Sequence, residues 1–186
     1  MSWLIHPAFL SVTDQFMISK VVSLAIIDHL NNYIGNTYIK WPNDILVGTK
    51  KIAGILIEHS IMQNRISHSI AGIGLNINQA HFPAFPVPAT SLYIETGREF
   101  DLEKHLRKLI KSLYLRFDQL RTGSREVLNR DYLEHLFRYR QRSLFKTGEQ
   151  YFEGAIDGIN EFGQLRVSVS GEFRVFNFQE IQQVFN

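Results

Sequence analysis

Short apolar segments with strand spacing, and one long apolar segment, make up the first part of the chain. Ser2–Ile5 is largely apolar and stops before Pro7, which predicts a strand. Thr13 and Asp14 are residue types that cap helices, and the broad apolar face after them predicts a well-buried helix to about Asn32. Four more strands are predicted, at Tyr38–Trp41, Ile45–Val47, Lys51–Ile57 and Arg65–Ile73.

The pattern changes twice in the second part of the chain. Residues 79–100 carry several prolines and predict a loop. Apolar residues at helical spacing then predict two helices, from Asp101 to about Arg121 and from about Ser124 to Arg138. From Ser143 onward, alternating segments separated by glycine turns predict four or five strands, which is the size of a small barrel.

These elements predict an α+β fold in two domains. Residues 1–141 are expected to form a mixed or antiparallel sheet packed with helices, and residues 142–186 a small C-terminal β-barrel. Hydrophobic residues at 45% and charged residues at 20% are typical of a globular protein with a packed core.

Composition excludes several classes of protein. A formal net charge of +2 without a long basic run gives no support for nucleic-acid binding. No apolar run approaches the roughly 20 residues that a membrane span requires, so no membrane attachment is predicted. The chain has no cysteine, which excludes a disulfide scaffold, a thiolate metal site and a cysteine nucleophile, and favours a reducing cytoplasm.

A predicted strand, a proline and two polar residues stand together at Lys40-Trp-Pro-Asn-Asp44. Pro42 ends the strand and fixes the turn. Asn43 and Asp44 are either ordinary turn residues, or an amide that contacts a base or phosphate and a carboxylate that holds a hard cation. From these five residues alone, both interpretations stay open.

Two lysines precede a glycine in the next predicted hairpin. Lys50 and Lys51 follow the tight turn at Gly48-Thr49, a place where lysines commonly protect a solvated strand edge. Gly54 lies inside a strand, which indicates a bulge or a ligand pressed against the backbone. The alternative is therefore a lysine that reaches into the same pocket as that ligand.

A glycine-rich segment, Gly72-Ile-Gly-Leu-Asn-Ile-Asn78, follows the last of these strands. No helix is predicted directly after it, which excludes a dinucleotide-binding loop and a P-loop. The glycines are better explained by a ligand that lies across the strand, with Asn76 as a polar contact.

The seven histidines show no metal-ligand spacing, and Ser91 lacks the strand-turn-helix setting of a nucleophile elbow.

Taken together, these residues resemble the biotin–protein ligase family. The match depends on four segments in order along the chain: Lys40-Trp-Pro-Asn-Asp44, Lys50-Lys-Ile-Ala-Gly-Ile-Leu56, Gly72-Ile-Gly-Leu-Asn-Ile-Asn78 and Ala89-Thr-Ser-Leu92. The resemblance implies a class II synthetase-like catalytic domain, and it implies that the tail from about Ser143 is the SH3-like β-barrel of these ligases.

The resemblance also implies a reaction and a set of roles. Biotin is activated with MgATP to biotinyl-5′-AMP and transferred to a lysine of a biotin carboxyl carrier domain. Lys51 is implied as the catalytic lysine on the biotin carboxylate and the α-phosphate. The remaining implied contacts are Gly54, Gly72 and Ile73 on biotin, Trp41, Asn43 and Asn76 on the nucleotide, and Asp44 and Asn76 on Mg²⁺.

The chain departs from the family pattern at one end. Family members carry a glycine- and arginine-rich loop (GRGRRG-like) before the strand that corresponds to Ser2–Ile5, and nothing in the 186 residues matches it. We therefore expect about a quarter of the catalytic domain to be missing and the first strand to have an exposed edge, which favours self-association as a homodimer. No DNA-binding winged helix is expected.

Two alternatives to a biotin–protein ligase stay open. They are a lipoate–protein ligase and a carrier-binding module without turnover.

Overall fold

One antiparallel sheet organises the first half of the molecule. The computed structural model describes residues 1–84 and 87–184. Its first sheet has the strand order β1-β5-β4-β3-β2, and every neighbouring pair is antiparallel. The strands are β1 (Ser2–Ile5), β2 (Thr37–Lys40), β3 (Asp44–Val47), β4 (Lys50–Met62) and β5 (Arg65–Leu75). All five predicted strands are confirmed, and the sheet is purely antiparallel.

The described residues include four α-helices: α1 (Phe16–Leu30), α2 (Leu92–Thr96), α3 (Leu102–Arg121) and α4 (Arg125–Glu134). Helix α1 packs on the first sheet and is covered on its other side by α3 and α4. This double cover explains why its side chains are buried almost all round. Within the described ranges, no helix is long and apolar enough to cross a membrane.

The predicted start of the first helix is wrong. Thr13 and Asp14 lie in a 3-10 helix (Val12–Asp14) that precedes α1, and the N-cap position belongs to Gln15. The Asp14 carboxylate accepts a hydrogen bond from Ser11 Oγ at 2.9 Å and pairs with Arg125. It is therefore used to join the 3-10 helix to α4 and does not cap α1.

Two further boundaries differ from the prediction. The predicted loop contains α2, whose N-cap Ser91 accepts a hydrogen bond from the Ile94 N–H through its side-chain oxygen. Helix α4 ends at Glu134, four residues before the predicted end. It ends there because the following backbone bonds to β2, with the Ile39 N–H donating to His135 O and the Phe137 N–H to Ile39 O. The predicted Asp101 cap of α3 is confirmed.

A second antiparallel sheet follows, with the strand order β10-β6-β7-β8-β9. Its strands are β6 (Arg142–Thr147), β7 (Gln150–Ile159), β8 (Leu165–Val169), β9 (Glu172–Phe176) and β10 (Gln182–Gln183). Five strands agree with the predicted four or five, but among the described residues β9 and β10 do not pair to close a barrel. The domain boundary near residue 141 stays a prediction, and the last two residues of the predicted domain lie outside the described ones.

The two sheets meet at Trp41 and Gly163. The Trp41 indole N–H donates to Gly163 O at 2.9 Å, and its ring packs on Phe178 with centroids 5.3 Å apart. Gly163 has φ +85°, a left-handed conformation that glycine adopts without strain. A Cβ there would lie 2.5 Å from the Phe16 ring. Only glycine therefore lets this turn come so close to α1.

Replacing Gly163 by alanine tests this junction. We expect Gly163→Ala to lower the free energy of unfolding by about 2–4 kcal/mol, because the clash with Phe16 adds to the strain of a positive φ. Gly171→Ala is the matched control, since Gly171 has φ +89° and open space around it. Urea unfolding of both variants separates the clash with Phe16 from the strain of a positive φ. Equal losses in the free energy of unfolding would contradict a role for close packing.

A buried pair of histidines joins α1 to α3. His29 Nε2 and His105 Nδ1 are 3.0 Å apart, and Tyr33 and Phe100 pack around His105. Burial, together with the nearby His105 and Lys108, lowers the pKa of His29 to about 4. Burial and Lys108 also lower the pKa of His105, against the opposing effect of Asp101. The pair is therefore neutral near neutral pH.

This pair predicts that acid destabilises the fold. The unfolded chain binds a proton at His29 near the ordinary pKa of 6.5, whereas the folded chain resists protonation down to about 4. The free energy of unfolding should therefore fall by about 2 kcal/mol between about pH 7 and about pH 4.5. His29→Asn should flatten that dependence in urea titrations, whereas His81→Asn, on an exposed loop, should keep it. If the free energy of unfolding of His29→Asn fell with pH as steeply as that of the wild type, the pH dependence could not be assigned to His29.

Candidate active site

The first sheet has one open face that is lined by glycines. Gly54 lies opposite Gly74 on β5 and opposite Asp44 on β3, and Leu56 lies opposite Gly72. Residues directly opposite each other share a face of the sheet. Leu56 is 67% exposed, whereas Ile55, which points to the other face, is buried. Three glycines therefore form a shallow floor on which a ligand can contact the backbone directly.

Lys51 reaches across this floor to Asp44. Its ammonium lies 2.5 Å from Asp44 Oδ1, and both side chains keep contact with solvent. Regular alternation would place Lys51 and Gly54, three residues apart, on opposite faces. A bulge in the β3–β4 pairing shifts the register and brings Lys51 to the face of Gly54. A Cβ on Gly54 would lie 3.2 Å from Lys51 Cε and Nζ, so the glycine leaves room for the lysine.

Asn43 ends the pairing between β3 and β4. Its backbone oxygen accepts a hydrogen bond from the Ile55 N–H, and its side-chain Nδ2 donates to Ile55 O, both at 2.9 Å. This fixes the amide group beside Asp44. Lys40 stands nearby, and burial lowers its pKa, partly offset by Asp44 and reinforced by Lys51.

A segment from Pro88 to Thr90 holds Lys51 and Asn76 together. The Lys51 N–H donates to Pro88 O at 2.7 Å, and Lys51 O accepts from the Thr90 N–H at 2.8 Å. Asn76 Nδ2 donates to Thr90 O at 3.0 Å. The backbone of the lysine and the side chain of the asparagine therefore share one rigid neighbour.

Glu95 on α2 anchors that segment. Its Oε1 accepts from Thr90 Oγ1 at 2.5 Å and from Lys50 Nζ at 2.9 Å. Partial burial alone would raise the pKa of Glu95, but the hydrogen bonds from Thr90 and Lys50 bring it below the ordinary value. Glu95 therefore stays ionised and keeps the segment in place. Sequence reasoning missed it because α2 follows a proline-rich segment with no strong helical pattern.

The structure brings most of the predicted site residues together. Asp44, Lys51, Gly54 and Gly72 lie on the open face, and Asn43 and Asn76 border it. Ile73 is buried on the opposite face, so its contact with a ligand on the open face would be made through its backbone. Trp41 lies at the junction with the second sheet. The ligand contacts of all these residues stay predictions.

Comparison with solved structures identifies the fold. The whole chain superposes on the apo structure of the biotin protein ligase from Aquifex aeolicus with a TM-score of 0.80 at 21% identity, and covers 81% of that chain. The structure of that ligase in complex with biotin and ATP gives a TM-score of 0.78 at 22% identity and 77% coverage. The fold is thus that of a biotin protein ligase.

Sequence comparisons show which family the chain resembles. Residues 4–76 match the model of the biotin/lipoate A/B protein ligase family. The chain is 30% identical over 155 residues to the biotin–[acetyl-CoA-carboxylase] ligase of Paracoccus denitrificans, covering 80% of this chain and 65% of that protein. It is 32% identical over 142 residues to the bifunctional ligase/repressor BirA of Bacillus subtilis, covering 74% and 39%. The chain is therefore similar to members of the biotin/lipoate protein ligase family, and it spans between 39% and 65% of these relatives.

Two glycine substitutions test the geometry around Lys51. Gly54→Ala should push the lysine away from Asp44, because the new methyl group meets the end of a flexible side chain. We expect the ε-amine of Lys51 to react several-fold faster with an acetylating reagent, as read by mass spectrometry, with little loss of stability. Gly74→Ala is the matched control, since its Cβ meets only Gly54 O at 3.8 Å. Equal reactivity in both variants would contradict the predicted displacement.

Proposed function

We propose that this chain carries the catalytic centre of a biotin–protein ligase. The reaction activates biotin with ATP and transfers it to a lysine of a biotin carboxyl carrier domain. The observation that carries the proposal is Lys51, held by Asp44 across Gly54 on an open, glycine-lined face. Similarity to the family model and the names of the relatives support the same reaction.

The proposed chemistry has two steps. A carboxylate oxygen of biotin attacks the α-phosphorus of ATP and pyrophosphate leaves, which gives biotinyl-5′-AMP. The ε-amine of the carrier lysine then attacks the biotinyl carbonyl carbon, AMP leaves, and the amine loses a proton. Negative charge develops around the α-phosphate in the first step. The ammonium of Lys51, on a backbone held by Pro88 and Thr90, would stabilise this charge.

Biotin would lie on the glycine floor. Gly54 and Gly72 allow the ligand to approach the backbone, and Ile73 would contribute its main chain. Exposed apolar side chains surround the floor: Leu56 is 67% exposed, Leu4 56% and Ile70 39%. An apolar surface with a few fixed polar groups is the usual make-up of a small-molecule site.

The nucleotide would lie beside this floor. Asn43 and Asn76 place amide groups near Lys51, and Trp41 would contribute from the junction of the sheets. Asp44 and Asn76 would hold a Mg²⁺ ion, since Mg²⁺ is commonly held by one or two carboxylates together with the substrate. The ion would neutralise phosphate charge when bound. Asp44 is also the ion-pair partner of the Lys51 ammonium.

The second sheet and the partners complete the proposal. We assign the five strands from Arg142 to Gln183 to an SH3-like barrel domain that begins near residue 142, as the family resemblance implies. The macromolecular substrate would be the carrier domain of a biotin-dependent carboxylase. The edge position of β1 in its sheet supports a homodimer. The lack of cysteine favours the cytoplasm.

A lipoate–protein ligase is the second candidate, because the matching family model covers both activities. The Trp41-Pro42 pair and the second sheet favour biotin. Transfer of radiolabelled lipoate to a carrier domain, with no transfer of biotin, would establish the second candidate.

Lys51→Ala tests the catalytic assignment. We expect biotin-dependent exchange of pyrophosphate into ATP to fall at least about 100-fold, because the fixed charge beside the α-phosphate is lost. The thermal midpoint should change little, since an ion pair in contact with solvent contributes at most about 1 kcal/mol. Lys111→Ala, on α3, is the control that should keep exchange. Wild-type exchange in Lys51→Ala would refute the role of the lysine.

A further inference from the structure

The second sheet ends on an open strand. Strand β9 pairs with β8 on one side and, within residues 1–84 and 87–184, has no strand on its other side. Its apolar side chains are in contact with solvent, since Phe173 is 64% exposed and Val175 is 49% exposed. An open strand edge with exposed apolar side chains readily pairs with another chain.

The turn before β9 determines which of its backbone groups point outward. Ser170 and Gly171 have φ of +52° and +89°, and they form a two-residue turn between β8 and β9. Glu172 flanks this turn and exchanges hydrogen bonds with β8, and such bonded residues alternate along an antiparallel strand. The N–H and C=O groups of Phe173 and Val175 therefore point away from β8.

The edge strand carries one charge of each sign on one face. Glu172 and Arg174 are two residues apart, so their side chains lie on the same face of β9. Both are exposed, and neither forms an ion pair within the described part of the chain. Arg174 lies over the Phe152 ring at 5.9 Å. Like charges keep strand edges apart, whereas a strand with both signs can match a second copy of itself.

The register between two copies decides whether these charges match. Antiparallel pairing centred on Arg174 would place two arginines opposite each other, and pairing centred on Glu172 would place two carboxylates opposite each other. Pairing centred on Phe173 places Glu172 of each copy opposite Arg174 of the other. It also joins the outward backbone groups of the two Phe173 residues. The charged pairs are then the close, non-hydrogen-bonded ones, where opposite charges stabilise the pairing.

We propose that β9 pairs antiparallel with β9 of a second copy of this chain, with the two-fold axis at Phe173. The second sheets of the two copies would form one continuous sheet. Two Glu172–Arg174 ion pairs would lie on one face, and Phe173 and Val175 would cover each other on the opposite face. The contact uses the same patch on both copies, as a two-fold dimer requires. It lies on a different sheet from β1 and is independent of the proposed reaction.

Sedimentation velocity of the full chain at increasing concentration tests the charge match. The wild type should form a reversible dimer. Glu172→Arg and Arg174→Glu should each weaken self-association at least about tenfold, because both opposed pairs become like-charged. An equimolar mixture of the two variants should dimerise again, since each opposed pair then joins opposite signs. Glu161→Arg, exposed in the turn between β7 and β8, is the matched control and should dimerise like the wild type.

A cysteine probe tests the register. The chain has no cysteine, so one substitution introduces a single thiol. Phe173→Cys would place two thiols at the two-fold axis, where the Cα atoms of a hydrogen-bonded pair are about 5.5 Å apart and within reach of a disulfide. Mild oxidation should therefore give a covalent dimer. Tyr151→Cys is the control, because Tyr151 is similarly exposed, at 59%, but lies on β7 inside the sheet, and it should crosslink far less.

Three results would overturn the proposal. The first is a wild-type chain that stays monomeric at millimolar concentration. The second is self-association that survives both charge substitutions, which would place the contact elsewhere, such as at β1. The third is crosslinking of Phe173→Cys that is no stronger than that of Tyr151→Cys, which would refute the register. Wild-type thermal midpoints of the variants would show that they are folded, and an inactive chain leaves every readout intact.

Discussion

The antiparallel pairing of β4 with β5 is the constraint on which the rest of the structure depends. It extends from the Ala53–Leu75 pair to the Met62–Arg65 pair and fixes which side chains share each face of the sheet. One face receives the glycines, and the other receives apolar side chains that pack on α1. A slip of one residue would exchange these faces, so the register that builds the core also builds the candidate site.

The position of Lys51 depends on the backbone more than on its ion pair. A partly buried ion pair that still contacts solvent, such as Lys51–Asp44, adds little stability and can be exchanged for a substrate. The lysine backbone is instead held by hydrogen bonds to the segment at Pro88 and Thr90, which Glu95 anchors in turn. The protein thus fixes where the side chain starts and leaves its charged end free to change partner. This arrangement suits a group that must act on a phosphate during a reaction.

The strands and the long helices were predictable from the sequence. The short helix α2 was not, and neither was the lack of barrel closure in the second sheet among the described residues. Alternation in β5 and the capping aspartate of α3 are local signals, and both led to correct elements. Helix α2 has only five residues, too few for a periodic signal, and its Glu95 was missed with it. Asp14 has the chemistry of a cap but is used in an ion pair with Arg125. Whether such a residue caps a helix or forms an ion pair depends on competition between its local and its distant partners.

The sequence by itself determined the open site face in outline: a proline turn with Asn43 and Asp44, a lysine near Gly54, and a second glycine segment. Those features are local, because turn chemistry, strand alternation and the lack of a glycine side chain act within a few residues. Only the tertiary structure decided that Lys51 crosses Gly54, that Glu95 supports it, and that the second sheet encloses a cavity beside β4. These depend on a bulge, on a distant helix and on the meeting of two sheets, and contacts between residues far apart in the chain set all three.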